Sequence, residues 1–244
     1  MTGFSAAARS NEPEWMDDGT VPYEVFRALL ADLERVNRLS LGYRPTLAFL
    51  DRLARAGRLP AGRPLAVLDI GSGRGDGLRA IARWAARRGV AVRLTGVDLS
   101  PWSTRAAREA AAADPAGEGI DFVTADAFAH MAAMAEPPDV VVSGLFTHHL
   151  DDAALVRFLA AMERHAALGW FVNDLHRHAV SYHGFALLSR LLRMHRFVVH
   201  DGTVSIARGF VAADWHRLLA AAGVEGASVT WWMPFRLCVS RVNP

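Results

Sequence analysis

The chain reads Val67-Leu68-Asp69-Ile70-Gly71-Ser72-Gly73-Arg74-Gly75-Asp76-Gly77 at the point that decides its fold. An apolar run with one acid in it ends in glycines at every second position. A strand that ends in such a turn and continues into a helix brings bare backbone close to a ligand, because side chains would block the approach. The stretch therefore predicts a ligand-binding turn between a first strand and a helix.

Composition limits the classes of protein that need to be considered. The 244 residues, 52% of them hydrophobic, suffice for one α/β domain with a substantial core. A net charge of +2 without a basic run gives no support to nucleic-acid binding. The single cysteine, Cys238, excludes an internal disulfide and a cysteine-based metal site, which is typical of a reducing cytoplasm. Neither a secretory signal nor an apolar run of about 18 residues is present, so we expect a cytoplasmic protein without a membrane span.

Strand-like and helix-like segments alternate regularly from Pro64 onward. Helical patterns near 76–88, 101–113 and 151–166 separate the strand-like runs, which predicts a parallel sheet with helices on both faces. At the C-terminus, a short turn joins two strand-like runs, so this pair must be antiparallel. The predicted strands are 65–70, 92–97, 120–124, 139–143, 169–173, 228–233 and 236–242.

Two further segments surround this core. Residues 1–63 are expected to form a mobile tail, up to residue 19, and a helical cap with helices from Pro22 and from about Pro45 to Ala56. Residues 64–244 form the main domain, with an insertion at 175–209 that contains a strongly apolar helix from Ala179. That insertion suits an apolar lid, and it equally suits a core helix or the face of a homodimer.

Three acids follow three successive strands. Asp69, Asp98 and Asp126 fall at the carboxyl ends of the first, second and third strands, the edge at which open α/β sheets bind ligands. A carboxylate at Asp98 can accept both hydroxyls of a ribose. Solvated loop acids or helix caps are the alternative, above all for Asp126. An NAD(P)-dependent oxidoreductase also stays open, although the chain lacks a Tyr-x-x-x-Lys pair.

The spacing Gly71-x-Gly73-x-Gly75 after Asp69 resembles motif I of the class I S-adenosylmethionine-dependent methyltransferases, and the resemblance covers roughly residues 64–244. It implies a Rossmann-like α/β fold with a seven-stranded, mostly parallel sheet and an antiparallel last strand. It also implies S-adenosyl-L-methionine as cofactor and S-adenosyl-L-homocysteine as product. The cofactor-binding positions that it implies are Asp69, Gly71, Ser72, Gly73, Gly75, Asp98, Leu99, Asp126, Ala127 and Ser143.

Other segments narrow the resemblance. Thr147-His148-His149-Leu150 is similar to an element of the small-molecule, ubiquinone/menaquinone-type branch. Segments 173–178, 205–210 and 232–236 resemble, more loosely, bacterial methyltransferases encoded beside type III polyketide synthases. These resemblances imply a role in secondary metabolism and a small aromatic, polyketide-like or quinone acceptor, methylated on oxygen or carbon. A non-catalytic ligand-binding module with the same fold is a further alternative.

Histidines supply the candidate bases. A neutral imidazole can remove the proton of a phenol at cellular pH. His149 and His176 each closely follow a strand end and are preferred, with His148 as a third candidate. The histidine pairs lack the i, i+4 spacing that places two imidazoles on one helix face, so the sequence predicts no metal site.

Overall fold

The apolar run before the glycine turn forms an interior strand of a seven-stranded sheet. The computed structural model describes residues 4–17, 20–191 and 194–243. The parts of the predicted tail and insertion at 1–3, 18–19 and 192–193, together with the C-terminal residue 244, lie outside the described residues. The strands are β1 (Leu65–Ile70), β2 (Val92–Asp98), β3 (Ile120–Thr124), β4 (Val140–Gly144), β5 (Gly169–Leu175), β6 (Ser228–Trp232) and β7 (Arg236–Val242).

The strand order confirms the predicted fold class. The sheet runs β3-β2-β1-β4-β5-β7-β6, with parallel pairing from β3 to β5. Strand β7 lies antiparallel between β5 and β6, with Asn173 opposite Cys238. This is a Rossmann-like methyltransferase fold, and the reversed strand β7 of its final hairpin distinguishes it from a dinucleotide-binding fold.

Helices cover both faces of the sheet. Every residue of β1 is buried, as expected for a parallel strand with helices on each side. The helices are α1 (Tyr23–Leu39), α2 (Arg44–Arg55), α3 (Asp76–Arg88), α4 (Pro101–Ala112), α5 (Ala127–Ala133), α6 (Asp152–His165), α7 (Ala179–Leu191), α8 (Arg196–Arg208) and α9 (Ala212–Ala221). On one face Leu68 packs with residues of α6 and α9, and on the other Val67 packs with residues of α2 and α3. None of the helices in the described part of the chain is both long and apolar enough to cross a membrane.

The N-terminal segment and the insertion differ from expectation. Residues 4–17 are not a free tail: Arg9 donates hydrogen bonds to the carbonyls of His148, Leu150 and Arg208, and Glu14 is buried. The insertion contains two helices, α7 and α8, that pack against each other, where one was predicted. Its apolar pattern did not reveal α8, because that helix mixes polar and apolar residues around its circumference.

Candidate active site

A cavity of about 1240 Å³ opens at the carboxyl ends of β1, β2, β4 and β5. Helix α1, the N-terminal segment and the insertion helices contribute its other walls. It brings together twelve of the thirteen predicted site residues: Asp69, Gly71, Ser72, Gly73, Asp98, Leu99, Asp126, Ala127, Ser143, His148, His149 and His176. The exception is Gly75, which does not line the cavity. A Cβ at that position would collide with the ring of Phe122, so this glycine is required for packing.

The glycine turn has two distinct requirements. Gly71 and Gly73 both have positive φ, +71° and +52°, a backbone region that side chains disfavour. A Cβ at Gly71 would lie 2.5 Å from the ring of Phe146, so the turn packs tightly there. A Cβ at Gly73 would meet no protein atom within 4 Å, because that position faces the cavity. Bare backbone is therefore presented to whatever enters the cavity.

Asp69 is a buried acid without a hydrogen-bond donor among the described residues. Its side chain lies at the end of β1, beside the cavity, with 7% exposure. Burial, and then the nearby charges of Asp76 and Asp98, raise the pKa of Asp69 well above its usual range. A cationic or hydrogen-bond-donating group in the cavity would relieve this unfavourable environment.

Asp98 holds the turn as well as facing the cavity. Its Oδ2 accepts the Gly73 N–H at 2.9 Å, and its Oδ1 accepts the Ser100 N–H at 2.9 Å. Burial raises the pKa of Asp98, and these two backbone hydrogen bonds oppose the rise. Each carboxylate oxygen has a second lone pair, so the group can still accept hydrogen bonds from a ligand.

The remaining predicted cofactor positions have separate structural tasks. Asp126 is exposed and caps α5, since its Oδ1 accepts the Ala129 N–H at 2.9 Å. Asp126 thus acts as a helix cap, the alternative role given for it above, and it also lines the cavity. Ser143 donates to the Ile70 carbonyl at 3.0 Å and so joins β4 to β1. Leu99 is 74% exposed beside the cavity, an unusual position for an apolar side chain.

His148 lies between two buried carboxylates. Its Nδ1 is 2.7 Å from Asp174 Oδ1, and its Nε2 is 3.5 Å from Glu14 Oε1. Burial alone would lower the pKa of His148, but Asp174 and Glu14 outweigh it and raise that pKa to about 9. Burial would likewise raise the pKa of Glu14, yet His148 and His149 hold it at about 2. His148 is therefore a cation at neutral pH rather than a base.

His176 has the opposite electrostatic environment. It follows β5 and lines the cavity, and its Nδ1 is buried without a hydrogen-bond partner among the described residues. Burial, followed by the charges of His178 and Arg177, lowers its pKa. Its imidazole is thus neutral at pH 7 and able to accept a proton. His149 is half-buried in the cavity wall, with Nε2 3.9 Å from Glu14 Oε1.

Several residues of the site were missed by sequence reasoning. Glu14 belongs to the segment predicted to be mobile, and it is buried against residues that are remote in sequence, such as His148 and Ser205. Tyr43 donates to Asp76 Oδ2 at 2.6 Å, and Asn173 donates to the Gly42 carbonyl at 2.7 Å. These two bonds attach the cap to the start of α3 and to β5. No sequence signal identifies them, although Asn173 lies within the Asn-Asp-Leu-His-Arg-His segment already noted.

Comparisons with known proteins agree with this architecture. Residues 67–169 match the family model described as a methyltransferase domain. No curated protein matches the chain in sequence. Among solved structures, a magnesium protoporphyrin IX methyltransferase from Synechocystis with bound S-adenosylmethionine has 16% identity and a TM-score of 0.52, over 84% of this chain and 81% of that one.

Two other solved structures extend the comparison. The plantazolicin methyltransferase BpumL, in complex with S-adenosylhomocysteine, has 14% identity and a TM-score of 0.60 over 94% of this chain and 99% of that one. A candidate O-methyltransferase from Nostoc punctiforme has 16% identity and a TM-score of 0.58 over 88% of this chain. The present chain spans 60% of the length of that Nostoc protein. At these identities the likeness shows the fold.

Proposed function

We propose that this chain is an S-adenosylmethionine-dependent methyltransferase that methylates oxygen, or carbon, of a small aromatic, polyketide-like or quinone acceptor. The observation that carries the proposal is that one cavity is lined by the open face of Gly73, by the Asp98 carboxylate and by the Asp69 carboxyl, which has no hydrogen-bond donor among the described residues. The match of residues 67–169 to a methyltransferase domain supports it. So do similar structures that hold S-adenosylmethionine or its demethylated product.

The chain's own residues fit this cofactor. The bare backbone at Gly73 admits a bulky ligand, and the Asp98 carboxylate suits the two hydroxyls of a ribose. Asp69 suits the amino group of the methionine moiety, since a cation there would compensate the buried acid. When bound, S-adenosylmethionine supplies an electrophilic methyl group on a sulfonium. A site that aligns an acceptor with that methyl gains rate from positioning.

The acceptor side of the cavity is apolar. The insertion contributes Val180, Phe185 and Leu188 to the cavity wall, and the cap contributes Phe26 and Leu30. Ligand pockets commonly have volumes of about 300–1000 Å³, so a cavity of about 1240 Å³ leaves room for an acceptor beside a nucleoside. Apolar walls also exclude water from the reacting groups. These features favour an apolar acceptor over a strongly polar one such as a sugar.

We assign the role of general base to His176. Its lowered pKa keeps the imidazole neutral at cellular pH, which a proton acceptor requires. The proton of an acceptor hydroxyl would pass to the ring of His176 as its oxygen becomes nucleophilic. His148 is unsuited to this step because its two ring nitrogens face Asp174 and Glu14.

Calorimetry with S-adenosylhomocysteine tests the cofactor assignment. We expect micromolar binding to the wild-type protein and strong weakening in Asp98→Ala. Incubation with methyl-labelled S-adenosylmethionine and a panel of phenols then tests transfer. A protein that binds neither nucleoside would overturn the proposal, and binding without transfer to any phenol would favour the non-catalytic module instead.

A further inference from the structure

Three side chains from distant parts of the chain converge on the cavity wall. Glu14, His148 and His149 each offer one ligand atom, and these atoms all lie within 4.8 Å of one another. The Glu14 Oε1 atom is 3.5 Å from His148 Nε2 and 3.9 Å from His149 Nε2. All three residues line the cavity in which the acceptor would lie. The arrangement is therefore open on one side.

A second layer of hydrogen bonds holds two of these side chains in place. Asp174 is fully buried, and its Oδ1 lies 2.7 Å from His148 Nδ1, which leaves Nε2 directed toward Glu14. Thr147 donates to the other Asp174 oxygen at 2.5 Å, and Ser205 donates to Glu14 Oε1 at 2.7 Å. A carboxylate behind a histidine is the usual support of a metal ligand, because it fixes the ring orientation and raises the ligand's basicity.

We propose that Glu14, His148 and His149 form a binding site for a divalent first-row transition metal ion, with zinc as the representative probe, and that the bound ion takes the place of the proton on His148 Nε2, which is released to solvent. Two imidazoles and one carboxylate are a ligand set found in catalytic zinc sites, which keep a further position open. With metal–ligand bonds of about 2.0–2.1 Å, tetrahedral ligand atoms lie about 3.4 Å apart. The observed separations of 3.5 and 3.9 Å are already close to that value.

The position of the site suggests what the ion would do. All three ligand residues line the cavity, so an ion bound there could also bind an acceptor oxygen and would favour its deprotonated form. That role rests on the proposed function, whereas metal binding itself does not. His176 lies outside the ligand set and remains available to accept the proton. The sequence predicted no metal site because that prediction used only the spacing of the histidine pairs, and Glu14 is remote from them in the chain.

A metal-free salt-bridge cluster is the competing explanation. Asp174, His148 and Glu14 can satisfy one another as two carboxylates around an imidazolium. This explanation predicts no affinity for a metal ion. The proposal instead requires both His149 and Glu14 for binding. The two explanations can therefore be separated by direct measurement.

The experiment uses the full chain, stripped of metal by dialysis against EDTA. Zinc is titrated in competition with a chromogenic chelator, and Co²⁺ is added separately to record the visible absorption of the bound ion. We expect one equivalent of zinc to bind with a Kd of about 1 μM or tighter. Glu14→Gln and His149→Ala should each weaken binding at least about 10- to 100-fold. Both should also remove the Co²⁺ absorption bands.

Two matched variants control for charge and for adventitious histidine binding. Glu12→Gln removes one negative charge from the N-terminal segment, as Glu14→Gln does, but at a carboxylate that faces His200. His216→Ala removes an exposed imidazole of α9. Both should bind zinc like the wild type. Wild-type protein that takes up no stoichiometric zinc would overturn the proposal, as would unchanged affinity in Glu14→Gln and His149→Ala. S-adenosylhomocysteine binding, measured in parallel on every variant, shows separately whether the proposed function fails.

Discussion

Replacing Gly73 by alanine separates the ligand-binding role of the glycine turn from its backbone role. A methyl group at this position would point into the cavity, where no protein atom lies within 4 Å. The folded protein can therefore accommodate the methyl group itself. Its cost in the free protein comes from the backbone, since Gly73 has a φ of +52°. Gly119 has a φ of +72° and equally open surroundings, but it lies outside the cavity, so Gly119→Ala is a matched control.

The expected magnitudes follow from these two environments. A left-handed conformation costs a residue with a Cβ about 1–2 kcal/mol, so both variants should unfold roughly 2–8 °C below the wild type. A methyl group inserted between closely approaching partners costs about 1–3 kcal/mol, which corresponds to about 5- to 150-fold in affinity. Only Gly73→Ala should show that loss for S-adenosylhomocysteine.

The assay combines thermal unfolding with isothermal titration calorimetry on three proteins. Wild type and Gly119→Ala should bind S-adenosylhomocysteine with equal affinity, and Gly73→Ala should bind it more weakly. Equal affinity in all three proteins would refute the reasoning, because the ligand would then not approach the backbone at Gly73. Loss of affinity in Gly119→Ala would show that lower stability, rather than the filled cavity, is responsible.

Three further predictions concern other parts of the site. Asp98→Asn should weaken S-adenosylhomocysteine binding about 10- to 100-fold in calorimetry, because charged hydrogen bonds are lost, whereas Asp121→Asn should not. His176→Ala should lower kcat about 10²- to 10⁴-fold without raising KM, whereas the control His178→Ala should leave kcat unchanged. Because burial lowers the pKa of His176, the wild-type rate should be constant from pH 7 to 8 and should fall at acidic pH, where the imidazole takes up a proton. Arg79→Leu should lower the free energy of unfolding in urea by about 1–3 kcal/mol, because the buried guanidinium donates a hydrogen bond to the Arg74 carbonyl and forms an ion pair with Glu34. An unchanged denaturation midpoint would contradict this expectation.

Sequence reasoning predicted the sheet well because its signals are local. Apolar runs bounded by turn residues identified each strand to within about two residues, and the short final loop required an antiparallel pair. Ser100 and Pro101 predicted the start of α4, where Ser100 accepts the Ser103 N–H. The short α5 and the partly polar α8 were not predicted, since neither has a continuous apolar stripe.

The placement of the glycine turn and of two acids at one edge of the sheet was also predictable, whereas the histidine cluster was not. Asp69, Asp98 and the glycine turn belong to strand ends that parallel pairing must bring to one edge. The charge states of His148 and His176 depend on what surrounds each ring. Asp174 and Glu14 make the first a cation, while burial and the neighbouring charges of His178 and Arg177 keep the second neutral.

By itself the sequence determined the strands, the reversed last strand and the edge of the sheet at which the cavity opens, because periodicity and turn chemistry act over neighbouring residues. Only the tertiary structure decided that Glu14 reaches His148 and His149, that Gly75 serves packing, and which histidine stays neutral. These outcomes depend on distances and burial between residues remote in the chain, which no local pattern encodes.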